Sequence, residues 1–115
     1  MFSKKNIKEI SIEGTSHLSG SRKMIVGKNE TSSKYFEAHT YGYLPSGVKW
    51  GMHKHDNIVE ICVVIKGEGI IRDSEGNEES FVVGDRFIFP SNTKHEIENN
   101  SGEEAEFYFF RFQDQ

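Results

Sequence analysis

From residue 35 to the end of the chain, short runs rich in β-branched and aromatic residues alternate with turn clusters, and no segment sustains the helical period over a helix-length window. This pattern constrains the fold before anything else does, because short half-apolar strands can bury their faces only against one another. The runs fall at 35–44, 50–55, 59–65, 69–72, 80–83, 86–89, 94–98 and 106–112. Between them stand Pro45-Ser46-Gly47, Lys66-Gly67, Ser74-Glu75-Gly76-Asn77, Gly84-Asp85, Pro90-Ser91-Asn92 and the polar stretch 99–102. An all-β chain, built as an antiparallel sandwich or barrel, is the expectation. Residues 1–34 differ: they are polar, carry Gly14, Gly20 and Gly27, and give only weak strand signals at 10–12 and 24–26. They read as an N-terminal arm with edge strands, and 35–115 as the barrel.

At 115 residues the chain suits one domain. Its 9 Phe, 4 Tyr and 1 Trp supply a core although only 35% of residues are hydrophobic. A formal charge of −4 offers no basic field, so nucleic acid is not an expected partner. No apolar run approaches the roughly 18 residues that span a bilayer, and the first residues lack the apolar stretch of a secretory signal. A cytoplasmic protein with no membrane partner is expected. Cys62 is the single cysteine and has no internal disulfide partner.

Chemistry concentrates in the histidines. His53 and His55 stand two apart in an expected strand, and the period of two aims both imidazoles at one face. Glu60 follows across the Asp56-Asn57 turn, where its carboxylate can reach the same ion, and His95 arrives from a distant strand. Imidazole with carboxylate suits a divalent first-row transition metal: Fe, Mn, Ni, Cu, Co or Zn. A lone histidine is more often an ordinary surface or hydrogen-bonded residue, and His17 and His39 are read that way.

The four are not read so, because of their spacing. Gly47, five residues, His53-Lys54-His55, four residues, Glu60, six residues and Gly67 resemble the first signature motif of the cupin superfamily at every fixed position. Gly84, five residues, Pro90-Ser91-Asn92, two residues, His95, three residues and Asn99 resemble the second. One position departs: Asn92 stands where the motif has glycine, and Asn is the best substitute in the left-handed region that such a turn needs. The glycines at 47, 67 and 84 read as strand-junction residues, and Asp85 as a cap of its turn. The resemblance implies a single double-stranded β-helix, a jelly-roll-like cupin barrel of the small metal-binding type. It also implies that His53, His55, Glu60 and His95 ligate one divalent metal.

Around that site, Tyr41, Tyr43, Cys62, Phe109 and Arg111 are candidate pocket residues, with Arg111 suited to a substrate carboxylate. The alternation places Gly51 beside His53 and leaves Trp50 and Met52 facing the opposite way or curling over the rim, where Trp50 would be a platform for substrate. Glu60 is the candidate catalytic residue, a ligand and proton shuttle. The resemblance implies a metal-dependent enzyme acting on a small oxygen-rich metabolite. Dioxygenase-type oxidation, which would make it an oxidoreductase, and sugar or uronate isomerase or lyase chemistry are both open. A non-catalytic module that senses a small molecule or metal is the alternative. A homodimer is expected, because a weak-stranded arm leaves an edge to cover and similar cupins are commonly dimers.

Overall fold

The computed structural model describes residues 2–17 and 19–114. Among them the strands are β1 Glu13–Gly14, β2 Ser21–Val26, β3 Phe36–Leu44, β4 Lys49–His53, β5 Ile58–Lys66, β6 Gly69–Asp73, β7 Glu78–Phe81, β8 Arg86–Phe89, β9 His95–Glu98 and β10 Ala105–Gln113. Helix is confined to two 3-10 turns, Ile7–Glu9 and Lys28–Glu30, so among the described residues none is long and apolar enough to cross a membrane. The strands form two antiparallel sheets, a six-stranded one in the order β1-β2-β3-β10-β5-β8 and a four-stranded one in the order β4-β9-β6-β7. No ladder joins the two sheets among the described residues, so the expected barrel is an open sandwich closed by side chains rather than by hydrogen bonds. From 35 onward the expected runs match the strands to within two residues at each end. In the arm, the 10–12 signal is displaced to the 3-10 turn and β1, and 24–26 belongs to the longer β2.

The period of two explains the core. β3 buries Ala38, Thr40, Gly42 and Leu44, β5 buries Glu60, Cys62 and Val64, and β10 buries Ala105, Phe107 and Phe109. Across the sandwich these meet Trp50 of β4, Ile71 of β6, Phe81 of β7 and Ile97 of β9. The Phe107 ring lies 5.4 Å from that of Phe81 and 5.7 Å from that of Trp50, an aromatic seam between the sheets. Gly42 makes room for it: a Cβ there would stand 2.8 Å from the Phe109 ring and 3.0 Å from Trp50.

One irregularity shapes the interior beside His53. Along the β4–β9 ladder Trp50 pairs with Ile97 and His53 with His95, so three steps on β4 oppose two on β9. This bulge resets the alternation, and Trp50 and His53 both turn toward the interior. The expectation that Trp50 faces away from His53 is corrected accordingly.

The motif residues expected in turns occupy them. Gly84 has φ 94° and Asn92 has φ 62°, the left-handed values that the second motif requires. Asp85 accepts the backbone N–H of Val82 at 2.9 Å. Asn99, fully buried, donates from Nδ2 to the carbonyls of Leu44 at 2.9 Å and Glu103 at 2.6 Å, and its Oδ1 accepts from the Ser101 backbone at 3.0 Å. It therefore ties the β3–β4 and β9–β10 connections together. Asn99→Ala leaves several buried backbone groups unpaired, and the expected loss is about 2–4 kcal/mol in urea unfolding. A loss below about 0.5 kcal/mol would show that the connections are held by their backbone bonds alone.

Candidate functional site

The four clustered residues come from both sheets. His53 ends β4 and is the cross-strand partner of His95, which opens β9. His55 lies in the loop after β4, where its carbonyl accepts the Asn92 backbone N–H at 3.2 Å and so anchors the loop to the second motif's turn. Glu60 rises from β5 in the opposite sheet and is 2% exposed. The imidazole centroids are 4.4 Å apart for His53 and His95, 5.0 Å for His53 and His55, and 6.2 Å for His55 and His95.

Backbone carbonyls and a stacked ring set the imidazole orientations. The Gly51 carbonyl lies 2.8 Å from His53 Nδ1 and can only accept, so Nδ1 carries the proton and Nε2 keeps its lone pair. His95 Nδ1 faces the Thr93 carbonyl in the same sense at a longer 3.4 Å. Phe89 stacks flat on His95, with centroids 3.8 Å apart and planes 1° from parallel. The buried Nε2 atoms of His55 and His95 have no hydrogen-bond partner. They face the Glu60 carboxylate, His55 Nε2 at 3.6 Å from Oε2 and His95 Nε2 at 3.4 Å from Oε1.

Arg111, the cross-strand neighbour of Glu60 on β10, donates from Nε to Oε2 at 2.6 Å. Burial alone pushes the Glu60 carboxyl up, but His95 and the Arg111 guanidinium outweigh it and hold the carboxyl at about 2. Burial pulls His53 and His55 below the ordinary imidazole value, which keeps both neutral as electron-pair donors. Among the described residues no three such side chains already stand in ligating geometry, and Arg111 engages one oxygen of the carboxylate. The donor set nevertheless fits a divalent transition ion: two buried imidazole nitrogens without partners, a third of fixed tautomer, and an ionised carboxylate opposite.

These groups line a cavity of about 470 Å³. Of the expected pocket residues, Phe109 and Arg111 line it, whereas Tyr41, Tyr43 and Cys62 do not. Tyr41 and Tyr43 stack on each other on the outer face of the six-stranded sheet, where the Tyr41 hydroxyl donates to Glu106. The period of two predicts that they share a face but not which one. Cys62 shares the inward parity of Glu60 but is fully buried in the core, and burial pushes its thiol well up. The cavity also takes Trp50, expected from sequence only as a platform at the rim, and Thr40 and His17, neither of them a candidate from sequence. Trp50 was hidden by the bulge, and His17 and Thr40 belong to neither motif.

The family model described as cupin domain matches residues 39–111. The oxalate-binding protein of Thermotoga maritima is 36% identical over 64 residues, 56% of this chain and 52% of that protein. The chain thus spans about half the length of the curated relative it matches. Among solved structures, a predicted oxalate decarboxylase from Thermotoga maritima superposes with a TM-score of 0.82 at 25% identity, covering 94% of this chain and 96% of that one. Ectoine synthase from P. lautus gives 0.81 at 17% identity, covering 98% and 78%, a likeness of fold alone.

Titration of these buried groups is coupled to stability. Burial lowers His53, His55 and also His17, the last from 6.5 to about 4, so the unfolded chain takes up protons in that window that the folded chain refuses. The depressed Glu60 carboxyl acts in the same sense at lower pH, since its stabilisation is present above the ordinary carboxylate range and lost as pH falls toward 2. Metal-free protein should therefore melt lower at about pH 5 than at about pH 7.5 in scanning calorimetry. Equal melting temperatures across that range would contradict the depressed imidazoles.

Proposed function

Because the chain belongs to the cupin domain family, we propose that its cavity holds one divalent transition metal on His53, His55, Glu60 and His95 and acts there on a small oxygen-rich metabolite. The observation that carries this reading is the pair of buried imidazole nitrogens without protein partners, turned toward a buried carboxylate in the cavity wall. A protein fold tolerates unpaired buried polar atoms rarely, and they gather where something else completes them. The Thermotoga maritima relatives, one described as oxalate-binding and the other as a predicted oxalate decarboxylase, support a small carboxylate as the metabolite class.

Such an ion, when bound, supplies Lewis acidity and, for the redox-active metals, one-electron chemistry. The protein supplies the rest. The Gly51 and Thr93 carbonyls hold the tautomers of His53 and His95, so both present Nε2 without reorganisation. Glu60 stays ionised and accepts either the ion or a proton from a bound acid. Arg111 brings positive charge to the same wall for a carboxylate. Trp50 and Phe109 exclude water from one side of the cavity. Dioxygenase-type oxidation and redox-neutral isomerase or lyase chemistry both use these parts.

A second reading, a binding module without turnover, is favoured by the curated relative's description as oxalate-binding. We also infer a homodimer through the outer face of the six-stranded sheet. His39 and Tyr41 of β3 meet Tyr108 and Phe110 of β10 there, Tyr43 stacks on Tyr41, and Ile88 on the edge strand β8 is 51% exposed. A face this aromatic is apolar enough to pair with its own copy.

Metal analysis of the purified protein should find about one transition ion per chain, falling to trace levels in His53→Ala. Unchanged metal content in that variant would remove the site assignment. Consumption of oxalate or a similar acid by the loaded protein selects the enzyme, and binding without consumption selects the module. Light scattering at micromolar concentration should give twice the chain's 13.2 kDa. A mass of one chain would rule the dimer out.

A further inference from the structure

Besides the histidine cluster and Arg111, the polar lining of the cavity comprises Thr15, Ser16, Arg22, Lys28 and Glu37 and two further side chains, Thr40 and His17, that stand out. Thr40, in the middle of β3, is 1% exposed, and its hydroxyl has no hydrogen-bond partner. Valine would fill the same space without leaving a polar atom unpaired, so the hydroxyl is a standing cost to the fold. A hydroxyl is also a weak donor to a transition ion beside three imidazoles, whereas it suits an oxygen-bearing ligand well.

His17 reaches the cavity from the arm, and its loop is latched in place. The His17 backbone N–H donates to Thr15 Oγ1 at 3.2 Å, and that hydroxyl donates to the Ser19 carbonyl at 2.7 Å. Trp50 Nε1 donates to the same carbonyl at 2.9 Å, and Ser19 Oγ donates to the Lys49 carbonyl at 3.2 Å. The loop is thereby fastened to β4, and the His17 ring stands edge-on to His53 with centroids 4.3 Å apart. Thr40, from β3, and His17, from the arm, thus line the same cavity.

We propose that Thr40 and His17 are the residues that select the ligand, hydrogen-bonding the oxygens of a small carboxylate or hydroxycarboxylate bound at the histidine cluster. This rests on the metal-and-carboxylate reading of the cavity. Ala38, Trp50 and Phe109 give the same cavity its apolar lining, and Arg22, Lys28 and Arg111 add positive charge that suits a carboxylate.

The test compares the manganese-loaded protein with Thr40→Val and His17→Ala, titrating oxalate and tartrate by calorimetry. Fluorescence of Trp50, the single tryptophan, serves as a second readout. Each variant should bind its preferred acid roughly tenfold more weakly while keeping one manganese per chain. Thr40→Ser, which keeps the hydroxyl, should bind like the parent. Metal-free Thr40→Val should melt higher, by about 4 °C, because it no longer buries an unpaired hydroxyl. Parent-like acid binding by both Thr40→Val and His17→Ala would overturn this proposal and leave the metal reading standing. Loss of manganese from His17→Ala would make His17 a metal ligand and also overturn it. A parent that binds manganese but neither acid would remove the carboxylate reading, and this proposal with it.

Discussion

The structure turns on a carboxylate that stays charged inside a sandwich. Glu60 projects from β5, the strand next to the edge strand β8 of the larger sheet, toward the smaller one and is almost wholly buried. An isolated buried carboxylate would take up a proton, and this one stays ionised because His95 and the Arg111 guanidinium stand against it. Arg111 is fixed as its neighbour by the β10–β5 register, and His53 is fixed beside His95 by the β4–β9 register. The ion pair thus forms within the larger sheet, and His53 and His95 join it when the smaller sheet covers that face. Substituting one partner would leave the others as uncompensated buried polar groups, so the cluster is coupled to folding as well as to chemistry.

Around that charge the sandwich is unevenly filled. Over most of its length Phe107, Phe81, Ile97 and Leu44 close the space between the sheets. Toward the Glu60 end, small residues on β3 and the bulge in β4 leave a cavity in place of a core. The bulge brings Trp50 inward, and Gly42 gives its ring and that of Phe109 somewhere to go. Cavity and core are thus one packing arrangement, divided by which inward positions carry large side chains and which do not.

The arm contributes more than edge strands. β2 extends the six-stranded sheet beside β3, and the loop before it is bonded to Trp50 and β4 of the other sheet. Ser19 is therefore bonded to one layer while β2, just after it, belongs to the other, and Thr15, His17 and Ser19 lie outside the matched span of 39–111. Within that span the family's parts are shared with many chains. His17 reaches the cavity from outside that span, and Thr40 from within it.

The all-β class, nearly every strand after residue 35 and the turn positions at Gly84 and Asn92 were legible in the sequence. These depend on neighbours one to four residues apart, through side-chain alternation and backbone angles. The spacing of His53, His55 and Glu60 was legible for the same reason. Which face of β3 turns inward was not: alternation groups Tyr41 with Tyr43 but gives no sign to the group until β3 pairs with β10 and the other sheet covers one side. Nor could the chain alone announce the bulge that aligns Trp50 with His53, the partnership of Arg111 with Glu60, or the arrival of His17. Each is a contact across strands distant in sequence, decided by register and packing, and no local pattern of residues encodes either.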